Sequence, residues 1–207
     1  FPKAESTGMP ERKGSDMKQS QIRCIALDLD RTTLDSQGRL SEKNRRAILR
    51  AVEHGIHVVV ASGRSLDSLP PEVLGLPGIR YAITSNGAAV YDLTDRSCLK
   101  QYKLEPDALD QILELTEGYE ISFEAFIDGK PYAEKAYVED PVRFGAMPRS
   151  ISYIQSTREP IEEMKKFIRA HISELDCVDL VVKSEKLKTE LWKTLEKSTR
   201  NVYITSS

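Results

Sequence analysis

The chain has 207 residues, 40% of them hydrophobic and 30% charged, with 30 Lys plus Arg against 32 Asp plus Glu. A net charge of −2, with no basic block interleaved with aromatics, argues against a nucleic-acid surface. No apolar stretch approaches the length needed to cross a bilayer, and no signal-peptide core follows the N-terminus.

Residues 1–20 are almost free of apolar side chains and read as a flexible arm, since they bury too little to offset the entropy of ordering. The chain opens with Phe1, and Met17 stands just before the first strand as a candidate native start. Residues 22–28 form the first predicted strand. Ser41 is placed as an N-cap, Ile48, Leu49 and Val52 recur at helical spacing through His54, and Gly55 ends the helix. The run 56–61 is continuously apolar, as expected of a strand covered on both faces. Residues 65–75 give a weak helix broken by Pro70 and Pro71, and 81–84 give a third short strand. Strand, helix, strand, short helix, strand is the order of a parallel sheet with right-handed crossovers.

After Asn86-Gly87 the pattern changes. Residues 88–93 and 98–104 flank Thr94-Asp95-Arg96 as a hairpin, and Pro106 opens a helix carrying Leu109, Ile112, Leu113 and Leu115. Residues 120–127 alternate, Asp128-Gly129 turns, and 130–137 returns as a strand. The pattern then predicts an amphipathic helix over 159–172 with Ile161, Met164, Phe167 and Ile168 inside, a strand at 178–183, a helix at 184–197 and a last strand at 202–205. Hairpins beside helices indicate an α+β unit. The expected organisation is therefore an arm (1–20), half of a parallel α/β core (21–86) and an α+β domain (87–207). Cys24, Cys98 and Cys177 lie far apart with no Cys-x-x-Cys spacing, which suits reduced thiols of a cytoplasmic protein and reads as three small core residues. Asp176 and Asp179 read as solvated acids, His54, His57 and His171 as structural, and Trp192 as core beside Leu191 and Leu195.

The chemistry concentrates at the ends of the three predicted core strands. Asp28 and Asp30 are two apart, a spacing that sends both to one face of a strand, where a cation would relieve their repulsion. Ser62-Gly63-Arg64 follows the second strand directly, and parallel sheets bind ligands at the carboxyl ends of their strands. The Ser62 hydroxyl can donate to a phosphoryl oxygen, Gly63 lets backbone come close, and Arg64 can reach an anion. Thr84-Ser85-Asn86-Gly87 ends the third strand. Carboxylate, hydroxyl and amide at three neighbouring strand ends suggest one polar pocket.

This constellation resembles the haloacid dehalogenase-like phosphohydrolases, in particular their Cof-type subgroup. Asp28-Leu29-Asp30-Arg31-Thr32 is similar to the first motif, Asp-x-Asp-x-Thr; Ser62 within Ala-Ser-Gly-Arg to the second; and Ser85-Asn86-Gly87-Ala88 to the hinge into a large cap. Gln155-Ser-Thr-Arg-Glu-Pro and the closing Val202-Tyr-Ile-Thr-Ser-Ser also resemble cap sequence, so the likeness covers residues 20–207. It implies a Rossmann-like core with an α+β cap and a Mg²⁺-dependent phosphatase acting on small phosphorylated metabolites. In that reading Asp28 is the nucleophile, forming an aspartyl-phosphate, and Asp30 is the general acid and base. Mg²⁺ binds the Asp28 carboxylate and the Asp30 backbone carbonyl, Ser62 holds phosphoryl oxygens, and Gly63, Arg64 and Asn86 line the phosphate site.

Two elements of the family pattern have no counterpart here: a lysine in a Lys-Gly context after the last cap strand, and a Gly-Asp-x-x-Asn-Asp loop completing the metal site. The glycine usual after the second aspartate is Arg31. The expectation is thus an incomplete chain of a longer enzyme, poor at hydrolysis alone, whose first strand becomes an unpaired edge. A catalytically defective, phosphatase-like binding or regulatory module is the competing reading. A response-regulator receiver would carry its acceptor Asp on the third strand, and residues 81–84 hold none.

Overall fold

The computed structural model describes residues 22–206. The expected N-terminal arm lies outside the described residues. Among the described residues nine strands form two sheets.

The first sheet has the order β1-β2-β3-β4-β5, with β1 Cys24–Leu27, β2 His57–Ala61, β3 Ile79–Thr84, β4 Ala89–Asp92 and β5 Cys98–Gln101. The first three run parallel, with Leu27 opposite Val60 and Val60 opposite Ala82. Val58 and Val60, on one face of β2, are buried, whereas Val59 and Ala61 on the other are half-buried, so the cover expected on both faces is complete on one only. Helix α1, Glu42–Glu53, makes the first crossover. The Ser41 side chain caps it by accepting from the Asn44 N–H at 3.2 Å, and Gly55 leaves it at φ 75°. The proline-broken stretch becomes a 3₁₀ turn at Leu66–Ser68 and the short α2, Pro71–Leu74. Leu29, Ile48, Val60, Leu66, Val73, Ala82 and Tyr91 fill this core.

The hairpin at 88–104 corrects the expected division at residue 86. β4 pairs antiparallel with β3 (Thr84 opposite Ala89), so the hairpin extends the first sheet, and the change of sheet falls between Gln101 and Ser122. Asn86, at φ 54°, turns the chain back along its own strand instead of out of the sheet. Among the described residues β1 pairs only with β2, and Cys24 and Ala26 are exposed along that edge. Cys98 is exposed as well, so two of the three cysteines are surface residues rather than core.

Helix α3, Pro106–Leu115, leads to the second sheet. Its order is β8-β7-β6-β9, with β6 Ser122–Ile127, β7 Lys130–Glu134, β8 Glu159–Ile161 and β9 Cys177–Val181. One face, carrying Phe123, Ala125 and Ile127, packs against α3, α6 (Met164–Ala170) and α7 (Glu185–Ser198) through Leu109, Leu113, Ile168, Leu191 and Leu195. The opposite face of β6 carries Ser122, Glu124 and Phe126. All six β6 residues are buried although their polarity alternates, because this face is covered too. Part of the cover is the segment after β7: α4 (Lys135–Glu139), two 3₁₀ turns and α5 (Ile151–Thr157), whose Tyr137, Val138 and Ile154 pack with Ala133.

Three sequence expectations fail in this second unit. The return strand stops at Glu134, and α4 follows. The helix expected over 159–172 is split: 159–161 forms edge strand β8, where Pro160 is tolerated, and only Met164–Ala170 is helical. Residues 202–205 form no strand, and Val202 and Ile204 instead pack against the α3–α7 cluster.

The two units meet at the tip of the β6–β7 hairpin. The Asp67 N–H donates to the Gly129 carbonyl at 3.0 Å. Gly129 sits at φ 82°, and a Cβ there would lie 2.9 Å from the Leu66 Cβ, so only glycine lets the two surfaces approach this closely. Lys103 adds ion pairs to Asp128 (2.8 Å) and to Asp176 (2.9 Å).

Candidate active site

Asp28 is the first residue beyond β1. The chain then winds through a single wide turn, Leu29–Thr33, closed by the Leu34 N–H to the Leu29 carbonyl at 2.8 Å and anchored by the buried Leu29. Arg31 holds a left-handed φ of 60° in this turn, the conformation that glycine adopts most readily. The Thr32 hydroxyl donates to Asp28 Oδ2 at 2.6 Å. Asp30 therefore does not continue the strand, and the pleat is not what orients it. Its partner is Arg64, whose Nε and Nη2 donate to the two carboxylate oxygens at 2.9 and 2.7 Å. Such a bidentate pair fixes the plane of the carboxylate. The Asp30 side chain remains 53% exposed while that of Arg64 is 13% exposed, so the acid faces solvent from a buried support.

Ser62 follows β2. Its N–H continues the ladder to the Ile83 carbonyl at 3.0 Å, and its hydroxyl accepts from the Arg64 N–H at 3.2 Å. Gly63 packs under the Asn86 side chain, where an added Cβ would stand 2.7 Å from Asn86 Oδ1. The Ser85 N–H donates to the Arg64 carbonyl at 2.9 Å, which ties the end of β3 to the end of β2. Ser85 and Asn86 both take positive φ, and the buried hydroxyls of Thr84 and Ser85 have no hydrogen-bond partner among the described residues. The third strand end thus holds two desolvated donors beside Ser62 and Arg64, a costly arrangement in a purely structural turn. Of the residues singled out in the sequence, Asp30, Ser62, Gly63, Arg64 and Asn86 are joined by these contacts. Asp28 stands at the neighbouring strand end, bonded to Thr32.

The second unit brings residues the sequence did not flag. Tyr153 of α5 lies over the Arg64 guanidinium, 4.2 Å from carbon to ring centroid, and Arg158 lies over the same ring at 4.8 Å. Arg158 donates from Nε to Glu124 Oε1 at 2.6 Å and from Nη2 to Oε2 at 3.3 Å, with both side chains buried. It also reaches the Ser68 hydroxyl of the first unit at 3.5 Å. Asp179 stands directly opposite Glu124 in the β6–β9 ladder. Burial and the facing Glu124 push its carboxyl up to about 6, with Arg158 acting against them. The Cys177 thiol donates to Asp179 at 3.7 Å, is itself raised by burial, and accepts from the Asn86 amide at 3.7 Å.

Asp179 is therefore no solvated acid, and neither is Asp176, a buried residue held by Lys103 and by Gln101 (2.8 Å). A signal was present for Asp179: two residues after Cys177 and two before Val181 in an apolar strand, it had to share their face. The Glu124–Arg158 pair, 34 residues apart, left no such trace.

No group of three or more His, Cys, Asp and Glu suited to a metal ion occurs among the described residues. At the β1 turn both Asp30 oxygens belong to Arg64, while Asp28 gives only Oδ2 to Thr32. What the turn can offer a cation is one carboxylate oxygen and backbone carbonyls. Such a sparse, hard oxygen set suits Mg²⁺, an ion that keeps several of its waters.

A family model described as haloacid dehalogenase-like hydrolase matches residues 25–207. The 5-amino-6-(5-phospho-D-ribitylamino)uracil phosphatase YcsE of Bacillus subtilis (strain 168) is 29% identical over 102 residues, 49% of this chain and 41% of that protein. The phosphatase YwtE of the same organism, named for the same substrate, is 31% identical over 109 residues, 52% of this chain and 36% of that protein. The chain thus spans less than half the length of either curated relative. Among solved structures, a haloacid dehalogenase-like hydrolase from B. subtilis superposes with a TM-score of 0.64 at 22% identity, over 84% of this chain and 67% of that one, a likeness of fold.

Proposed function

Because this chain belongs to the haloacid dehalogenase-like hydrolases, we propose that it is a Mg²⁺-dependent phosphomonoester hydrolase of small phosphorylated metabolites, working through an aspartyl-phosphate in the cytoplasm. The observation that carries the reading is the meeting of two strand ends. The Asp28–Thr32 turn beyond β1 is locked to Ser62-Gly63-Arg64 beyond β2 by the Asp30–Arg64 pair. Ligands of parallel sheets gather at such ends. The names of the two curated relatives support a phosphorylated metabolite as substrate.

In this mechanism an Asp28 oxygen attacks phosphorus. The new O–P bond forms as the ester P–O bond breaks, and the leaving oxygen takes a proton from Asp30 once Arg64 has released it. Water then attacks the aspartyl-phosphate and gives its proton to Asp30, and inorganic phosphate leaves Asp28 unchanged. Ser62 Oγ, the Gly63 N–H and the Asn86 amide receive the phosphoryl oxygens. The Asp28 carboxylate and the Asp30 backbone carbonyl would hold Mg²⁺, which would offset the charge between nucleophile and phosphate. The second sheet and its helices act as a cap that excludes water and meets the leaving group.

The test is Mg²⁺-dependent phosphate release by the full-length protein from para-nitrophenyl phosphate and from a panel of sugar and polyol phosphates. Asp28→Asn should lower kcat by about 1,000-fold or more with little change in Tm. It should also abolish binding of beryllium fluoride with Mg²⁺, a mimic of the phosphorylated aspartate. A well-folded full-length protein that neither hydrolyses these esters nor binds the mimic would refute the proposal and favour a binding module.

A further inference from the structure

The Tyr153 ring has a guanidinium at 4.2 Å that belongs to the first unit, Arg64, and another at 4.8 Å that belongs to the second, Arg158. Two like charges on one ring repel, yet each here has its own carboxylate, Asp30 for Arg64 and Glu124 for Arg158. Both also reach Ser68, Arg64 through the carbonyl at 3.1 Å and Arg158 through the hydroxyl at 3.5 Å. The result is a continuous line, Asp30–Arg64–Tyr153–Arg158–Glu124, running from an exposed acid on the first sheet to a buried one on the second.

In that line Tyr153 touches the face of Arg64, not its edge. Three of its five edge donors are engaged, two on Asp30 and one on the Ser68 carbonyl. Stacking on an aromatic ring therefore restrains the plane of the guanidinium without competing for its hydrogen bonds. A bidentate donor whose plane is fixed fixes the plane of its carboxylate. The Asp30 carboxylate, half exposed, keeps an open side toward solvent, from which a water's proton can be accepted.

We propose that Tyr153 is a positioning residue for Asp30: by seating Arg64 it orients the Asp30 carboxylate as the proton acceptor for the water that attacks the aspartyl-phosphate. The inference rests on the phosphatase reading above and deepens it. The residue that orients the acid of the first unit is supplied by the second, so the hydrolytic step runs at full rate only with the two units packed together. Formation of the aspartyl-phosphate, in which Asp30 has left Arg64, does not depend on the ring.

That asymmetry sets the experiment. With the full-length protein, Mg²⁺ and para-nitrophenyl phosphate, Tyr153→Leu should lower kcat by about 10-fold or more and lower KM with it, leaving kcat/KM within about 3-fold. A burst of nitrophenolate should appear before the steady state as the phosphorylated enzyme accumulates. Tyr153→Phe, which keeps the ring, should behave like the unmodified protein. Arg64→Lys keeps the charge but loses the planar fork, and should give the same split between kcat and kcat/KM; it carries the test if Tyr153→Leu proves unstable. A fall in kcat/KM that matches the fall in kcat, with no burst, would mean that the ring contacts substrate or merely holds the fold, and would overturn the proposal. Unchanged kinetics in Tyr153→Leu would overturn it too while leaving the phosphatase reading intact. No hydrolysis and no beryllium fluoride binding by the unmodified protein would remove both.

Discussion

In the first sheet the acidic residues Asp28 and Asp30 stand beyond the end of β1, exposed and held by a hydroxyl and a guanidinium. In the second, Glu124 and Asp179 face each other in the middle of a ladder, where one arginine serves the pair. The difference lies in where the charge sits relative to solvent. A carboxylate at a strand end can be oriented and still meet an incoming group. A carboxylate in mid-ladder has lost most of its water, and its worth depends on the partner it keeps. The first arrangement suits chemistry; the second binds a sheet face to the segment laid over it.

Removing the partner should break the second arrangement most severely. Arg158→Ala leaves the buried Glu124 facing the half-buried Asp179 with no cation between them, and should cost about 3–5 kcal/mol in denaturant unfolding. A loss under about 1 kcal/mol would mean that these acids are as well solvated as the pair beyond β1.

Removing the surplus charge should act in the opposite direction. Asp179 has a carboxyl raised to about 6 from an ordinary 3.8. Below the lower value it is protonated in both the folded and the unfolded chain, and burial adds no charge penalty. As pH rises to the upper value the unfolded chain ionises more readily, so stability falls, and the penalty is complete above it. Asp179→Asn should therefore raise stability by about 1–3 kcal/mol above roughly pH 6 and by almost nothing near pH 4, read from unfolding midpoints across pH. In the Arg158→Ala background the gain should be larger, since the two substitutions share one cluster.

In the first unit the effects should fall on activity before stability. Gly63→Ala puts a methyl against the Asn86 amide, which must shift. We expect about a 10-fold loss of kcat with about 1 kcal/mol of destabilisation, compared by activity assay and thermal melt. The smallest effect belongs to Arg31. Glycine relieves its left-handed φ of 60° but loosens the unfolded chain. Arg31→Gly should thus change stability by about 1 kcal/mol or less, in the stabilising direction, by the same melt.

How much of this was legible in the sequence follows the same division. Asp28, Asp30, Ser62, Gly63 and Asn86 stand at or just past the ends of predicted strands, so local pattern and strand order were enough to collect them. Asp30 is nevertheless oriented by a turn and by Arg64, not by the pleat of a strand. Tyr153, Glu124 and Arg158 meet through contacts between segments that no periodicity links. The stretch from 135 to 157 also folds as short helical turns set by Pro141 and Pro148, too brief to show a repeat. The apolar spacing of 159–172 suits a helix, but Pro160 disfavours helix at Glu159 and is tolerated at a sheet edge, where 159–161 pair as a strand. Sheet membership of the 88–104 hairpin was hidden because a hairpin's sequence specifies its own turn, not the neighbour it joins.

The glycine at the β6–β7 tip has a mechanical consequence. Where Gly129 meets Leu66 the two halves touch without a spacer, and the Asp67–Gly129 hydrogen bond pins that corner. The Tyr153–Arg64 stack and the Arg158–Ser68 contact join the same two halves elsewhere, so the close approach at Gly129 helps to set how far the Tyr153 helix stands from Arg64. A single methyl added at Gly129 would push the halves apart there, and the strain would reach one ring and two guanidiniums that it never touches.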